Sequence, residues 1–370
     1  LDDSLVHYRG RHLKKALNTA KIALEFGLTE RAKPEDLVSA NLLLARIFNT
    51  NARYQNEPAS FQKALQYIAE AKRLNDLLAD PAADARILLN AGKVHLNLKE
   101  FAQAETSLRK ALAIARLKDD VECTVLSLAL LSQLFLAKNE VEQGVMFAEE
   151  GFRFLEDNVP NNHVALWAEV YLQLSQAYLK RQEYSRSLEM SQHLLQLSRQ
   201  LGDVEKEALA LHNIAVVCGV KSNYKIGMQY FLEALDKCET IGYRELSAQI
   251  QINLGTLYAH LYNYEEAINR YQKVLAEHSD ILEDKIRVAL YNNLGNIFFT
   301  TEQPQQALSY FEKANTLADE CQHQEMFAHS LAQLSRTKIS MNRLSEAEQD
   351  AHWAAELFER LGDVNGKQIH

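Results

Sequence analysis

Proline and glycine are scarce in this chain, 5 and 13 of 370 residues, so few points interrupt a regular pattern. Long hydrophobic runs are missing as well. Apolar residues make up 47%, yet no stretch approaches the eighteen or more needed to cross a bilayer, and no membrane association is expected. An excess of basic charge is absent: the net charge is −9, without the basic stripe that a phosphate backbone requires, which argues against nucleic acid as a partner. The most basic segment, Arg9 to Lys15, reads as a solvated helix face. The four cysteines, Cys123, Cys218, Cys238 and Cys321, fall in no close pair and no metal-like spacing, so they read as buried or incidental thiols in a reducing compartment. The twelve histidines are scattered; His323 and His329 lie close, but no nucleophile, glycine-rich phosphate loop or HExxH motif accompanies them. No catalytic residue, metal or cofactor is expected, and the chain does not read as an enzyme. It opens at Leu1 and shows no signal-peptide pattern, so a fragment of a cytoplasmic protein is the expectation.

What is present is helical periodicity. In the stretch from Tyr291 to Ala314 and the residue before it, Leu290, Leu294, Ile297 and Phe298 share one helical face. Ala307, Leu308, Phe311 and Ala314 share a face of a second helix, and a polar turn with Pro304 separates the two. Such a helix-turn-helix unit cannot bury both apolar stripes alone and must stack on neighbours like itself.

Those neighbours recur at a spacing of forty. Asn253 to Tyr258 is followed by Tyr264, Ala267, Tyr271 and Val274, and Asn213 to Cys218 by Tyr224, Gly227, Phe231 and Ala234. This order of leucine, small residue and aromatic, then alanine, aromatic and alanine, resembles the tetratricopeptide repeat. The opening tryptophan of that repeat is absent and the period is longer than usual. With Leu-Gly-Asp between units at Leu201 to Asp203 and at Leu361 to Asp363, the pattern is similar to the repeats of Rap-type bacterial regulators, Pins/LGN adaptors and bacterial sensory arms. The glycines at these junctions read as helix C-terminal caps followed by a capping aspartate. The resemblance covers essentially the whole chain and implies an all-α, right-handed superhelical solenoid in one domain, 1–370.

Taken in order, a partial unit over 1–30 has its helix at about His7 to Phe26, and Glu30 to Glu35 connects it to the next. Eight complete pairs follow at 36–80, 84–118, 124–157, 164–200, 204–240, 244–279, 284–319 and 325–360. The first has a helix from about Asp36 to Phe48 and then a long loop from Asn49 to Ser60, an insertion of seven residues that reads as an idle loop or a partner-facing feature. Asn158 to His163 forms a second, slightly long loop, and 361–370 copies the start of a further repeat, so a continuing chain is expected.

The resemblance also implies which face binds. First helices of such pairs line a concave wall, and the residue before the Leu-Gly position points inward. Down the chain that position holds Leu43, Asn90, Leu130, Gln173, Asn213, Asn253, Asn293 and Gln333. Asparagine is a poor mid-helix residue, and an amide repeated at this spacing offers a donor and an acceptor to the main chain of an extended peptide. The positions three further on are Arg46, Lys93, Gln133, Gln176, Val216, Thr256, Asn296 and Arg336. Basic groups stand at both ends, so an acidic segment or free carboxylate near one end of a peptide is expected.

Asn292, Asn293 and Asn296 form the densest polar cluster. The alternative is that the amides bond one another between repeats and only order the stack. Tyr258, Tyr264, Tyr271 and Phe298 read as packing, whereas Tyr262 and Phe299 are candidates for the groove. The expected function is a protein- or peptide-binding module, the regulatory arm of a larger bacterial signalling protein. A scaffold joining proteins, a substrate-recruiting arm of an enzyme and self-association through uncapped ends remain as alternatives.

Overall fold

The computed structural model describes residues 13–29, 33–55, 57–158 and 163–362. The expected helix start at His7, the Arg9 to Lys15 face before Leu13, most of the 158–163 loop and the repeat start after Gly362 lie outside the described residues. Among those described there are seventeen helices and no strand. After α1 (Leu13–Thr29) come α2 (Pro34–Gln55), α3 (Pro58–Leu78), α4 (Pro81–Asn97), α5 (Phe101–Leu117), α6 (Val121–Ala137) and α7 (Val141–Asn158). They continue with α8 (Val164–Lys180), α9 (Tyr184–Leu201), α10 (Val204–Val220), α11 (Tyr224–Ile241) and α12 (Arg244–His260). The last are α13 (Tyr264–Glu277), α14 (Asp284–Thr300), α15 (Pro304–Glu320), α16 (Gln324–Ser340) and α17 (Leu344–Arg360). Even-numbered helices from α2 on are the first members of pairs and odd-numbered ones the second, an all-α solenoid of helix pairs.

The helices gather into two compact units that divide between Ser247 and Ala248, inside α12. In the first, core clusters run from Val38, Leu44 and Ile68 through Leu108, Leu131 and Phe135 to Leu155, Trp167 and Leu194. In the second, Tyr271, Leu294, Phe298, Phe311 and Phe358 anchor the main cluster. The stripes expected on α14 and α15 are buried as read: Leu290, Leu294, Ile297 and Phe298 on one, Ala307, Leu308, Phe311 and Ala314 on the other. Burying each of the larger side chains contributes about 1.5–3 kcal/mol.

Close approach within a pair depends on a missing side chain. A Cβ placed on Gly295 would sit 2.5 Å from the Phe311 ring, on Gly255 2.6 Å from the Tyr271 ring, and on Gly92 2.6 Å from Leu108. In each case the large residue lies sixteen positions later (295 to 311, 255 to 271, 92 to 108) and fills the space the glycine leaves.

Turns inside the pairs use one geometry. Lys99, Asn139, Gln182, Ser222, Tyr262, Glu302 and Asn342 all take φ near +60°. The next amide then reaches back to the helix, as in Glu100 N to His95 O at 2.9 Å and Asn263 N to Tyr258 O at 2.9 Å. Tyr262, a groove candidate from sequence, is one of these turn residues; it is 79% exposed and stands edge-on to Tyr264. Between pairs Gly202 fills the left-handed position and Asp203 caps α10 by accepting from Lys206 N, as the Leu-Gly-Asp reading expects.

The stretch expected to be a loop from Asn49 to Ser60 is instead mostly helix. α2 continues to Gln55, and α3 starts at Pro58. Local propensity, with two asparagines and a threonine, favours a loop, but Ala52 and Tyr54 are 1% and 0% exposed, and that burial outweighs it.

Candidate functional site

The extra turns of α2 build the most elaborate polar contact in the first unit. Arg53 Nη1 donates to Glu205 Oε1 at 3.2 Å and Nη2 to the Tyr243 hydroxyl at 2.5 Å, while the Tyr54 hydroxyl donates to Glu205 Oε2 at 2.8 Å. The Tyr54 and Tyr243 rings lie 5.1 Å apart. Glu205 occupies the first turn of α10, where the helix dipole favours an anion. Burial opposes the charge on Arg53, yet Tyr243 and Glu205 hold its pKa well above the ordinary value. Burial pushes the Tyr243 phenol up to about 12. Sequence reasoning missed this latch. The one available signal was the seven-residue insertion, because nothing local pairs residue 53 with residue 205.

The latch borders a cavity of about 440 Å³ that the first helices line from α2 round to α10. Among the residues expected on the wall, Lys93, Gln133, Gln173 and Gln176 meet here, joined by Glu169, Glu205 and Lys206. Lys206 reaches Glu169 at 3.4 Å and Asp203 at 3.1 Å; burial opposes its charge, but these carboxylates raise its pKa. Gln173 is 2% exposed; its Nε2 donates to Glu169 Oε1 at 3.4 Å and its Oε1 has no partner.

Two other wall amides are spent inside the unit. Asn90 accepts from Arg46 Nε at 3.1 Å and donates to Arg86 O at 2.7 Å. Asn213 donates to Ser175 Oγ at 3.0 Å from the adjacent repeat and lies 3.3 Å from His212 Nδ1. Burial drives the His212 pKa down to about 4, with Asn213 opposing in part. The partners of Asn90 and Asn213 are thus Arg46, Arg86 and Ser175 and not other wall amides.

In the second unit, Thr256 and Asn293 both bond the buried Tyr271 hydroxyl, Thr256 at 3.1 Å. Asn253 accepts from Gln249 Nε2 at 3.3 Å. Asn292 is half-buried and its Oδ1 has no partner, Gln333 is half-buried, and Asn296 and Arg336 are exposed. The Arg336 guanidinium lies 4.2 Å from the Phe299 ring centroid, so Phe299 faces the same patch. The histidines noted in the sequence are accounted for locally: His323 accepts from Met326 N at 3.4 Å and His329 stands edge-on to Phe358. All four cysteines are free thiols. No described helix is long and apolar enough to cross a membrane.

Family models for the tetratricopeptide repeat match residues 85–116, 206–276 and 246–320. These stretches of the chain carry tetratricopeptide repeats. Protein KINESIN LIGHT CHAIN-RELATED 3 of Arabidopsis thaliana is 24% identical over 332 residues, 85% of this chain and 50% of that protein. The chain thus spans about half the length of this curated relative. Among solved structures, the signal transduction ATPase with a tetratricopeptide repeat sensor, PH0952 of Pyrococcus horikoshii, matches with a TM-score of 0.65 and 14% identity, covering 98% of this chain and 55% of that one. A Rap protein complexed with Competence and Sporulation Factor matches with a TM-score of 0.61 and 13% identity, covering 94% and 97%. At these identities the solved structures establish the fold. A tetratricopeptide array of this kind is a protein–protein interaction module.

Proposed function

We propose that the chain is a recognition module, with no catalysis of its own, that holds an extended polypeptide segment on the first-helix wall of the second unit. The observation that carries this reading is the run of open polar positions on α14 and α16. Asn292 keeps an unpartnered buried oxygen, and Asn296 and Arg336 are exposed beside Phe299. Amide donors and acceptors at helical spacing suit main-chain N–H and C=O groups, and Arg336 suits a carboxylate. Asn253, Thr256, Asn293 and Gln333, on the first helices α12, α14 and α16, belong to the same reading.

The setting is a cytoplasmic regulatory arm of a larger signalling protein, a reading supported by the fold shared with a repeat sensor and with a Rap protein in complex. An adaptor role is the second reading, favoured by the kinesin light chain-related relatives. Capture of a proteome-derived peptide library tests the common core. Binding that is lost in Asn296→Ala with Arg336→Ala, at unchanged helicity, supports it; no capture, or capture indifferent to the pair, overturns it. A bound peptide that alters a second module's activity supports the regulatory version, and one without such an effect leaves the adaptor.

A further inference from the structure

We infer that the cavity of the first unit is a separate site for a small organic anion that carries hydrogen-bond donors. This goes beyond the polypeptide reading and does not depend on it, because that reading rests on exposed residues of the second unit.

The placement of charge gives the sign of the ligand. Around the cavity Arg53 is paired with Glu205, and Lys206 with Glu169 and Asp203. Lys93, half-buried on α4, lines the same space and has no carboxylate partner among the described residues. The three cations and three carboxylates of the lining balance, but Lys93 alone of the cations has no carboxylate within ion-pair distance, and an anionic group fits beside it.

Hydrogen bonding gives the rest of the ligand. The Gln173 amide is locked by its bond to Glu169, leaving its carbonyl oxygen buried without a donor. Such an orphan is uncommon and costly, and an O–H or N–H of a ligand satisfies it. Gln133 and Gln176, on the neighbouring helices α6 and α8, supply further amide donors and acceptors beside it.

Size excludes a large occupant. A volume of about 440 Å³ lies within the ~300–1,000 Å³ of small-molecule pockets. The latch from α2 to α10 forms part of its boundary, with Arg53, Glu205 and Tyr243 lining the space on that side. The anionic head is a carboxylate or a phosphate monoester, and the body is a short chain bearing hydroxyl or amide groups.

Calorimetry on the whole chain with four probes tests this: gluconate, glycerol 3-phosphate, acetate and sorbitol. Binding of gluconate or glycerol 3-phosphate, with acetate and sorbitol far weaker, is expected, and the preferred probe identifies the head group. Lys93→Gln weakens that binding roughly tenfold or more while Lys93→Arg retains most of it. Gln173→Met weakens it similarly with little change in melting temperature, because removing the orphaned acceptor offsets the lost long bond to Glu169. No binding by any probe, acetate binding as well as gluconate, or binding unchanged in both Lys93→Gln and Gln173→Met overturns the proposal. So does loss of peptide capture in Lys93→Gln, which would assign the cavity to the polypeptide face.

Discussion

Arg53, near the end of α2, meets Glu205, in the first turn of α10, at 3.2 Å although 152 residues separate them in sequence. The pair is sheltered, with side chains 21% and 12% exposed. Arg53→Met strands the Glu205 carboxylate beside Tyr54 and Tyr243, and the expected loss is about 3 kcal/mol. In urea unfolding, Arg53→Met with Glu205→Gln recovers much of that loss. Additive single effects would mean that the pair does not couple the two helices.

Acid weakens the first unit through His212. Its folded pKa of about 4 lies below the ordinary 6.5, so the neutral ring's contribution is complete above 6.5 and drains away as pH falls through 4. The amount is on the order of 3 kcal/mol. The slope of stability against pH between neutrality and pH 4 is expected to flatten in His212→Gln; equal slopes would refute the assignment.

At the alkaline end the latch tyrosine acts in the opposite direction. The Tyr243 pKa is raised from 10.0 to about 12, so its contribution is complete below 10 and is lost as pH rises towards 12. Tyr243→Phe is predicted to remove about 3 kcal/mol of that alkaline loss while weakening the protein at neutral pH through loss of the Arg53 hydrogen bond. Ultraviolet titration of tyrosinate checks it: a phenol titrating near 12 is expected and is absent in Tyr243→Phe.

Within a repeat, Gly295→Ala forces the Phe311 ring to move and is expected to cost about 1–3 kcal/mol. Phe311→Leu in the same chain relieves the clash, so the double variant is less destabilised than the two single effects summed. Thermal unfolding of the four proteins measures this coupling.

The helix pairs and their apolar stripes were legible because packing within a repeat is local: Leu294, Gly295 and Phe311 announce one another across sixteen or seventeen residues. The candidate wall was legible only as positions. Sequence spacing brought Lys93, Gln173 and Gln176 to the inside of the first unit, but it could not tell that Asn90 and Asn213 are consumed by Arg46, Arg86 and Ser175. Nor could it tell that Asn49 to Gln55 stays helical. That outcome depends on burial of Tyr54 against residues from a distant repeat, and no local propensity encodes such a contact.

An open solenoid can gain or lose a repeat at either end or in its middle, because each unit answers only to its neighbours. The first unit here lacks that freedom. Deleting one helix pair between α4 and α9 would leave Arg53 facing the wrong repeat, and inserting one would carry Glu205 out of reach. The number of repeats between α2 and α10 is therefore a fixed quantity, counted by a single ion pair, and changes in length are tolerated only outside that span.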